Sequence, residues 1–239
     1  MGATDVVGSG ACQVFLEAGA RVVVVTRTED KLKELLGRFD MHRTNLIGVV
    51  GGLDTRAQIE EIRSVVRAAL NGYTVDHVIS SFGTVPLTPD GISTGDVNVL
   101  RTCFEDSLFP TILCAQVFMQ DLRDKEGSTY TIVSGGFAHK CHFPRAWVGA
   151  IKSAAMNGVI ESLSCDMANA KVRVNGNCLH YGLAKPSDDK NHYQSSSGEP
   201  ESSGIDFAKT FLKIIERKDL RGQIICHDNR GDTDRFLQA

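Results

Sequence analysis

Along this chain, short runs of β-branched and apolar residues alternate with longer stretches in which apolar positions recur every three or four residues. A period near two suits a strand and a period near 3.6 suits a helix, so the order of runs predicts repeated strand–helix–strand units feeding a mostly parallel sheet. Strands are predicted at Arg21–Thr26, Leu46–Val50, His77–Ser81, Thr129–Ser134, Val172–Cys178 and Gln223–His227, with helices between them. Thr55, with Gln58 three residues on, predicts a capping box that opens a helix through Ile59, Ile62, Val65 and Val66. Two long helices are predicted at Asp96–Arg123 and Ala146–Ala170. The second carries Ala150, Ala154 and Gly158 at four-residue steps, a stripe of small residues that suits either close packing on its own sheet or a seam with a second copy. One stretch breaks the pattern: Ser187–Gly204 is rich in Ser, Asp, Glu, Gly and Pro and predicts a flexible polar surface loop.

Length and composition narrow the picture. A chain of 239 residues with no internal repeat and no shift of composition reads as one α/β domain spanning 1–239. Its 26 basic residues are scattered among 29 acidic ones, for a net charge of -3, so nucleic acid is not an expected partner. No apolar run approaches the length of a membrane span, and no membrane partner is expected. The seven cysteines include no Cys-x-x-Cys pair and mostly fall in apolar runs, which predicts reduced core thiols and a cytoplasmic protein, an organelle lumen being the alternative.

Candidate chemistry begins at the N-terminus. Gly2-Ala3-Thr4-Asp5-Val6-Val7-Gly8, followed by an amphipathic run to Ala20 and the valines 22–25, has the form of a phosphate-binding turn, helix and strand. Further on come Arg27, the Ser80-Ser81-Phe82-Gly83 turn, Lys152 within Val148-Gly149-Ala150-Ile151-Lys152, Arg173-Val174-Asn175 and Gly222-Gln223-Ile224-Ile225. Taken together these resemble the short-chain dehydrogenase/reductase family over nearly the whole chain. The resemblance implies a doubly wound, Rossmann-like, three-layer sheet, a nicotinamide cofactor, a small-molecule carbonyl or alcohol substrate, and self-association as a homo-oligomer through the two long helices. It implies cofactor contacts from Gly2, Thr4, Gly8, Arg27, Gly83 and Lys152. A guanidinium at position 27, after the second strand, favours NADP over NAD, because it suits a 2'-phosphate.

The same resemblance exposes departures. The family's active-site Tyr, four residues before the Lys, falls on Val148, and its carbonyl-polarising Ser falls on Gly135, with Ser134 adjacent as a second candidate. Valine has no proton to give to an alkoxide, so weak or no hydride transfer to carbonyls is expected, with Lys152 and Ser134 as the remaining candidate catalytic residues. The family's helix Asn falls on Ser107. Val6 stands where a middle glycine lets the backbone approach the phosphates, and its branched side chain is expected to intrude there. His139, His142, His180 and Tyr181 are candidate replacement proton donors for an atypical NADPH-dependent reductase. His139-Lys140-Cys141-His142 lacks a spaced second cluster, so no metal site is expected. The family's first strand precedes the phosphate turn, whereas Gly2 of that turn follows Met1 directly. The expectation is a shortened form of a longer chain, at the limit a product without function, or a sheet whose first slot another segment fills.

Overall fold

The computed structural model describes residues 1–42, 44–83, 87–141, 143–181, 183–184 and 202–239. In chain order the elements are α1 (Val6–Glu17), β1 (Val22–Thr26), α2 (Glu29–Arg38), β2 (Leu46–Val50), α3 (Arg56–Leu70), β3 (His77–Ser80), α4 (Val97–Cys103), α5 (Phe109–Leu122), β4 (Thr129–Gly135), α6 (Trp147–Asp166), β5 (Arg173–Leu179), β6 (Leu183–Ala184), β7 (Ser202–Ser203), α7 (Gly204–Glu216), β8 (Ile224–His227) and α8 (Arg230–Gln238). Side chains set the starts of several helices: Asp5 accepts from the Gly8 amide, Thr28 from Lys31 and Asn229 from Asp232, and Thr55 with Gln58 completes the capping box.

The sheet is parallel throughout its main strands. β1 pairs with β2 from Val22 opposite Leu46 to Thr26 opposite Val50. β3, β4, β5 and β8 follow in that spatial order, Tyr130 lying opposite Val78 and Val174. Alternation of side chains along each strand then feeds two faces. Val78, Tyr130, Ile132 and Val174 meet apolar residues of α3, α5 and α6, including Ile59, Phe118 and Ile160. On the opposite face Ile79, Val133 and Leu179 meet Val14 of α1 with Phe207 and Phe211 of α7. Helices on both faces of a parallel sheet make this a Rossmann-like, three-layer α/β fold.

Three expectations are corrected. The helix predicted at Asp96–Arg123 is interrupted: a π-helical turn at Phe104–Leu108 joins α4 to α5, with the Ser107 hydroxyl donating to the Cys103 carbonyl at 2.5 Å. The stripe on α6 does not face its own sheet, since Ala154 and Gly158 are exposed and a Cβ on Gly158 would meet nothing within 4 Å. Cysteines are all unpaired but divide: Cys12, Cys103, Cys114 and Cys178 are buried, whereas Cys141, Cys165 and Cys226 are exposed. Most of the predicted polar loop lies outside the described residues, and its end is strand β7 and the first residue of α7. Among the described residues no helix is long and apolar enough to cross a membrane.

Between β1 and β3 the described residues place no strand. A cavity of about 640 Å³ occupies that position, with Ala11 and Cys12 of α1 on one side and Val66, Leu70 and Phe118 on the other. Met1 closes one end. Its ammonium donates to the Ile79 carbonyl at 2.9 Å, and its own carbonyl accepts from the Ser81 amide at 3.2 Å, so it pairs with β3 in the manner of a parallel strand. Burial lowers the pKa of that ammonium, with the nearby Cys12, Cys114 and Asp5 pulling the other way.

Candidate functional site

The turn ahead of α1 is built from close backbone approaches that exclude side chains. Gly2 has φ +75°, and a Cβ there would lie 1.5 Å from the Ser81 carbonyl oxygen. A Cβ on Gly8 would lie 2.1 Å from the Gly2 carbonyl oxygen, so the first turn of α1 rests directly on the loop. Gly2 therefore anchors the loop to the carboxyl end of β3, and Gly8 fixes the helix above it. Thr4 is exposed at the tip. Val6 does not occupy the loop mouth in the way its sequence position suggests: its Cγ1 approaches Gly204, where a Cβ would come within 2.7 Å of it. The missing side chain at the start of α7 is what accommodates the valine.

Charged groups gather behind this turn. The Asp5 carboxylate accepts from the Gly8 amide at 2.6 Å and from the Ser81 hydroxyl at 3.2 Å. Burial raises its pKa, while the Gly8 amide, the Ser81 hydroxyl, the Met1 ammonium and Lys152 lower it. Lys152 on α6 is 9% exposed, and its ammonium donates to the Phe82 carbonyl at 3.3 Å. Burial lowers the Lys152 pKa, opposed by Cys103 and Asp5. Gly83, at φ +77°, follows at once; a Cβ there would sit 2.6 Å from the Ser107 Cβ, so the π-helical turn presses on this glycine. A cleft of about 470 Å³ opens beside Gly83, Thr102, Cys103 and Asp106. These groups meet at the carboxyl end of β3, where open parallel sheets place their ligands.

One helical turn before Lys152, Val148 is fully buried and packs with Cys103 and Trp147. Ser134 is not brought to Lys152: its hydroxyl donates to the Asn157 side chain at 2.7 Å and lies 3.4 Å from the Ser153 carbonyl. Gly135 lies beside α6, where a Cβ would be 2.9 Å from the Ser153 hydroxyl, which has no hydrogen-bond partner among the described residues. Arg27 pairs with Asp106 of the π-helical turn at 2.9 Å, both side chains being well exposed. Tyr181 shares a 2.7 Å hydrogen bond with Thr233 of α8, which commits its hydroxyl away from Lys152. His142 lies outside the described residues. Sequence reasoning missed Asp5, Cys103 and Asp106 as members of the site. Asp5 carried a signal, a capping carboxylate three residues before a helix glycine; the other two come from the π-helical region, which has no such signature.

Comparison with known proteins adds an independent line. The family model described as short chain dehydrogenase matches residues 1–191. A tropinone reductase homolog of Datura stramonium is 23% identical over 99% of this chain and 91% of its own length. Among solved structures, ElxO with NADP bound superposes with a TM-score of 0.81 at 14% identity, covering 95% of this chain and 94% of that one. A short chain oxidoreductase of Pseudomonas aeruginosa PAO1, described as containing an atypical catalytic center, superposes with a TM-score of 0.78 at 17% identity, covering 94% and 92%.

Proposed function

This chain belongs to the short-chain dehydrogenase family, and from that premise we propose that it is an NADP-binding, oxidoreductase-derived protein with weak or no hydride transfer to carbonyls. The observation that carries the reading is Val148, fully buried one turn before Lys152 with no ionisable atom to offer. The residues present fit a dinucleotide. The Gly2–Gly8 turn brings backbone amides and the N-terminus of α1 to a pyrophosphate. Arg27 is held by an exposed ion pair to Asp106, which contributes about 0–1 kcal/mol, and by a long, exposed 3.4 Å hydrogen bond to the Asp106 carbonyl, so a 2'-phosphate readily recruits it. Lys152 stands ready for ribose hydroxyls, with its ammonium already at the carboxyl end of β3. NADP when bound supplies the hydride; this chain binds and orients it but provides no proton at position 148 and no hydroxyl at position 135.

Self-association is part of the proposal. The exposed small-residue stripe of α6 and Phe109 of α5, 49% exposed, form the helical faces available for it. The degenerate character of the site is the mark of a diverged member that acts through binding or assembly. ElxO with NADP bound supports the cofactor, as a fold neighbour with the same doubly wound plan.

A second reading, an atypical reductase, is favoured by one observation: the buried Lys152 ammonium lies one helical turn after position 148, at the carboxyl end of β3, and burial lowers its pKa, which eases release of a proton. Titration of the protein with NADPH, followed by fluorescence, separates the readings. Saturation without turnover on a panel of carbonyls supports the binding protein; turnover that Lys152→Ala abolishes supports the reductase. Absence of saturation at millimolar NADPH overturns both.

A further inference from the structure

At the far end of the sheet, the carboxyl ends of β4, β5 and β8 bring together four side chains that are dispersed in sequence. Cys178 and Cys226 are register partners on adjacent parallel strands, so their side chains leave the sheet on the same face. His180 follows two residues after Cys178, and its Nε2 lies 3.3 Å from the Cys178 Sγ. His139, from the segment after β4, places its Nε2 3.7 Å from the Cys226 Sγ. The ligand atoms of His139, His180 and Cys226 all lie within 4.8 Å of one another.

We propose that His139, His180, Cys226 and Cys178 form a zinc-binding site. A tetrahedral zinc ion, with Zn–N of about 2.0 Å and Zn–S of about 2.3 Å, holds its ligand atoms roughly 3.3–3.8 Å apart. The two nitrogen–sulfur separations, 3.3 Å and 3.7 Å, already fall in that range, and small side-chain rotations close the rest. Two imidazoles and two sulfurs are a donor set that selects zinc over magnesium or calcium. The support around the ligands is also in place. Asp228 holds His180 Nδ1 at 2.5 Å, which leaves Nε2 as the metal-facing nitrogen, the arrangement in which a carboxylate orients a ligating histidine. Gly136 makes room for that ring: a Cβ there would lie 2.1 Å from the His180 Cγ.

Four protein ligands leave no open position, so the ion acts as a clamp, not as a Lewis acid. It fastens the segment after β4, which leads to α6 and Lys152, onto β8 at the sheet edge. His139 and His180, candidate proton donors from the sequence, are thereby committed to the ion; Lys152 is not a ligand, and the site stands or falls independently of cofactor binding.

The test uses reduced, metal-stripped full-length protein, with Zn²⁺ titrated against a chromophoric chelator and Co²⁺ added as a spectroscopic probe. The expected result is one ion per chain, with thiolate-to-cobalt charge-transfer absorption and the visible bands of tetrahedral Co²⁺. Cys226→Ser and His139→Ala, both at exposed positions, are each expected to lower affinity at least ~10-fold, and Asp228→Asn on the order of 10-fold through loss of ligand orientation. Cys165→Ser, a distant exposed thiol, is expected to leave binding unchanged. Absence of uptake by a protein with unaltered circular dichroism overturns the proposal. So does uptake that Cys226→Ser and His139→Ala leave intact.

Discussion

Filling the gap between β1 and β3 is expected to stabilise the protein by several kcal/mol. The perturbation is an extension of five apolar, β-branched residues fused directly ahead of Met1, which already pairs with β3 at the carboxyl end of the gap. The cavity of about 640 Å³ has room for such a strand between two layers of helices. Each added residue gains on average two hydrogen bonds, one to each neighbouring strand, at about 0.5–1.5 kcal/mol apiece. Burial of each side chain adds about 1.5–3 kcal/mol. Ordering opposes these by about 1–2 kcal/mol per residue for backbone and up to ~1 kcal/mol for side chain. At the low end of both gains and of the backbone cost, with about 0.5 kcal/mol for side-chain ordering, the balance is about 1 kcal/mol per residue, hence roughly 5 kcal/mol for five. Relief of the buried Met1 ammonium acts in the same direction. For a domain of this size, that corresponds to a rise in Tm of roughly 10–20 °C. Differential scanning calorimetry measures it, and hydrogen exchange at Val22–Thr26 and His77–Ser80 reports where protection is gained. A rise below about 2 °C, or a larger rise with no new protection in β1 and β3, refutes the reasoning.

Three further outcomes are expected. Val148→Tyr combined with Gly135→Ser should raise carbonyl reduction with NADPH by at least ~10², the lower range for restoring one general acid, in a steady-state assay; the Ser153 hydroxyl offers the new serine a partner. Arg27→Ala should weaken NADPH binding by roughly tenfold and leave NADH little changed in paired fluorescence titrations, as expected for one charge-assisted hydrogen-bonding group. Asp121 accepts from both Arg63 and Arg67 across α3 and α5; burial raises its pKa, but those guanidiniums outweigh it and hold the carboxyl below its usual range. A depressed carboxylate contributes stability that is present above its unfolded pKa, near 3.9, and is lost as pH falls through the folded value. Asp121→Asn should therefore cost about 1.5–3 kcal/mol at neutral pH, and the difference from the parent should shrink in acid, measured by urea unfolding at several pH values.

Strand positions were legible because valine and isoleucine runs mark buried strands: four valines and a threonine gave β1, and the equally apolar run Leu46–Val50 gave β2. Capping chemistry was legible for the same reason, since Thr55 and Gln58 act locally. The π-helical turn at Phe104–Leu108 was not, because it arises from a slip in backbone hydrogen bonding that leaves the apolar spacing of α4 and α5 unchanged. Position 148 was readable from its spacing to Lys152. Ser134 was not, since strand alternation leaves open which face carries the reacting groups, and the structure gives that hydroxyl to Asn157. The cluster around Cys226 escaped notice because its members join only through register: Cys178 meets Cys226 by strand pairing, across 48 positions of sequence.

The contact between Gly10 of α1 and Gly204 of α7 has a mechanical consequence. A Cβ on Gly10 would lie 2.3 Å from the Gly204 carbonyl oxygen, so the two helices touch main chain to main chain with no side chain able to yield. A side chain at either position would wedge the helices apart, so Gly10→Ala is expected to separate α1 from α7 and to loosen the glycine loop that α1 carries at its start.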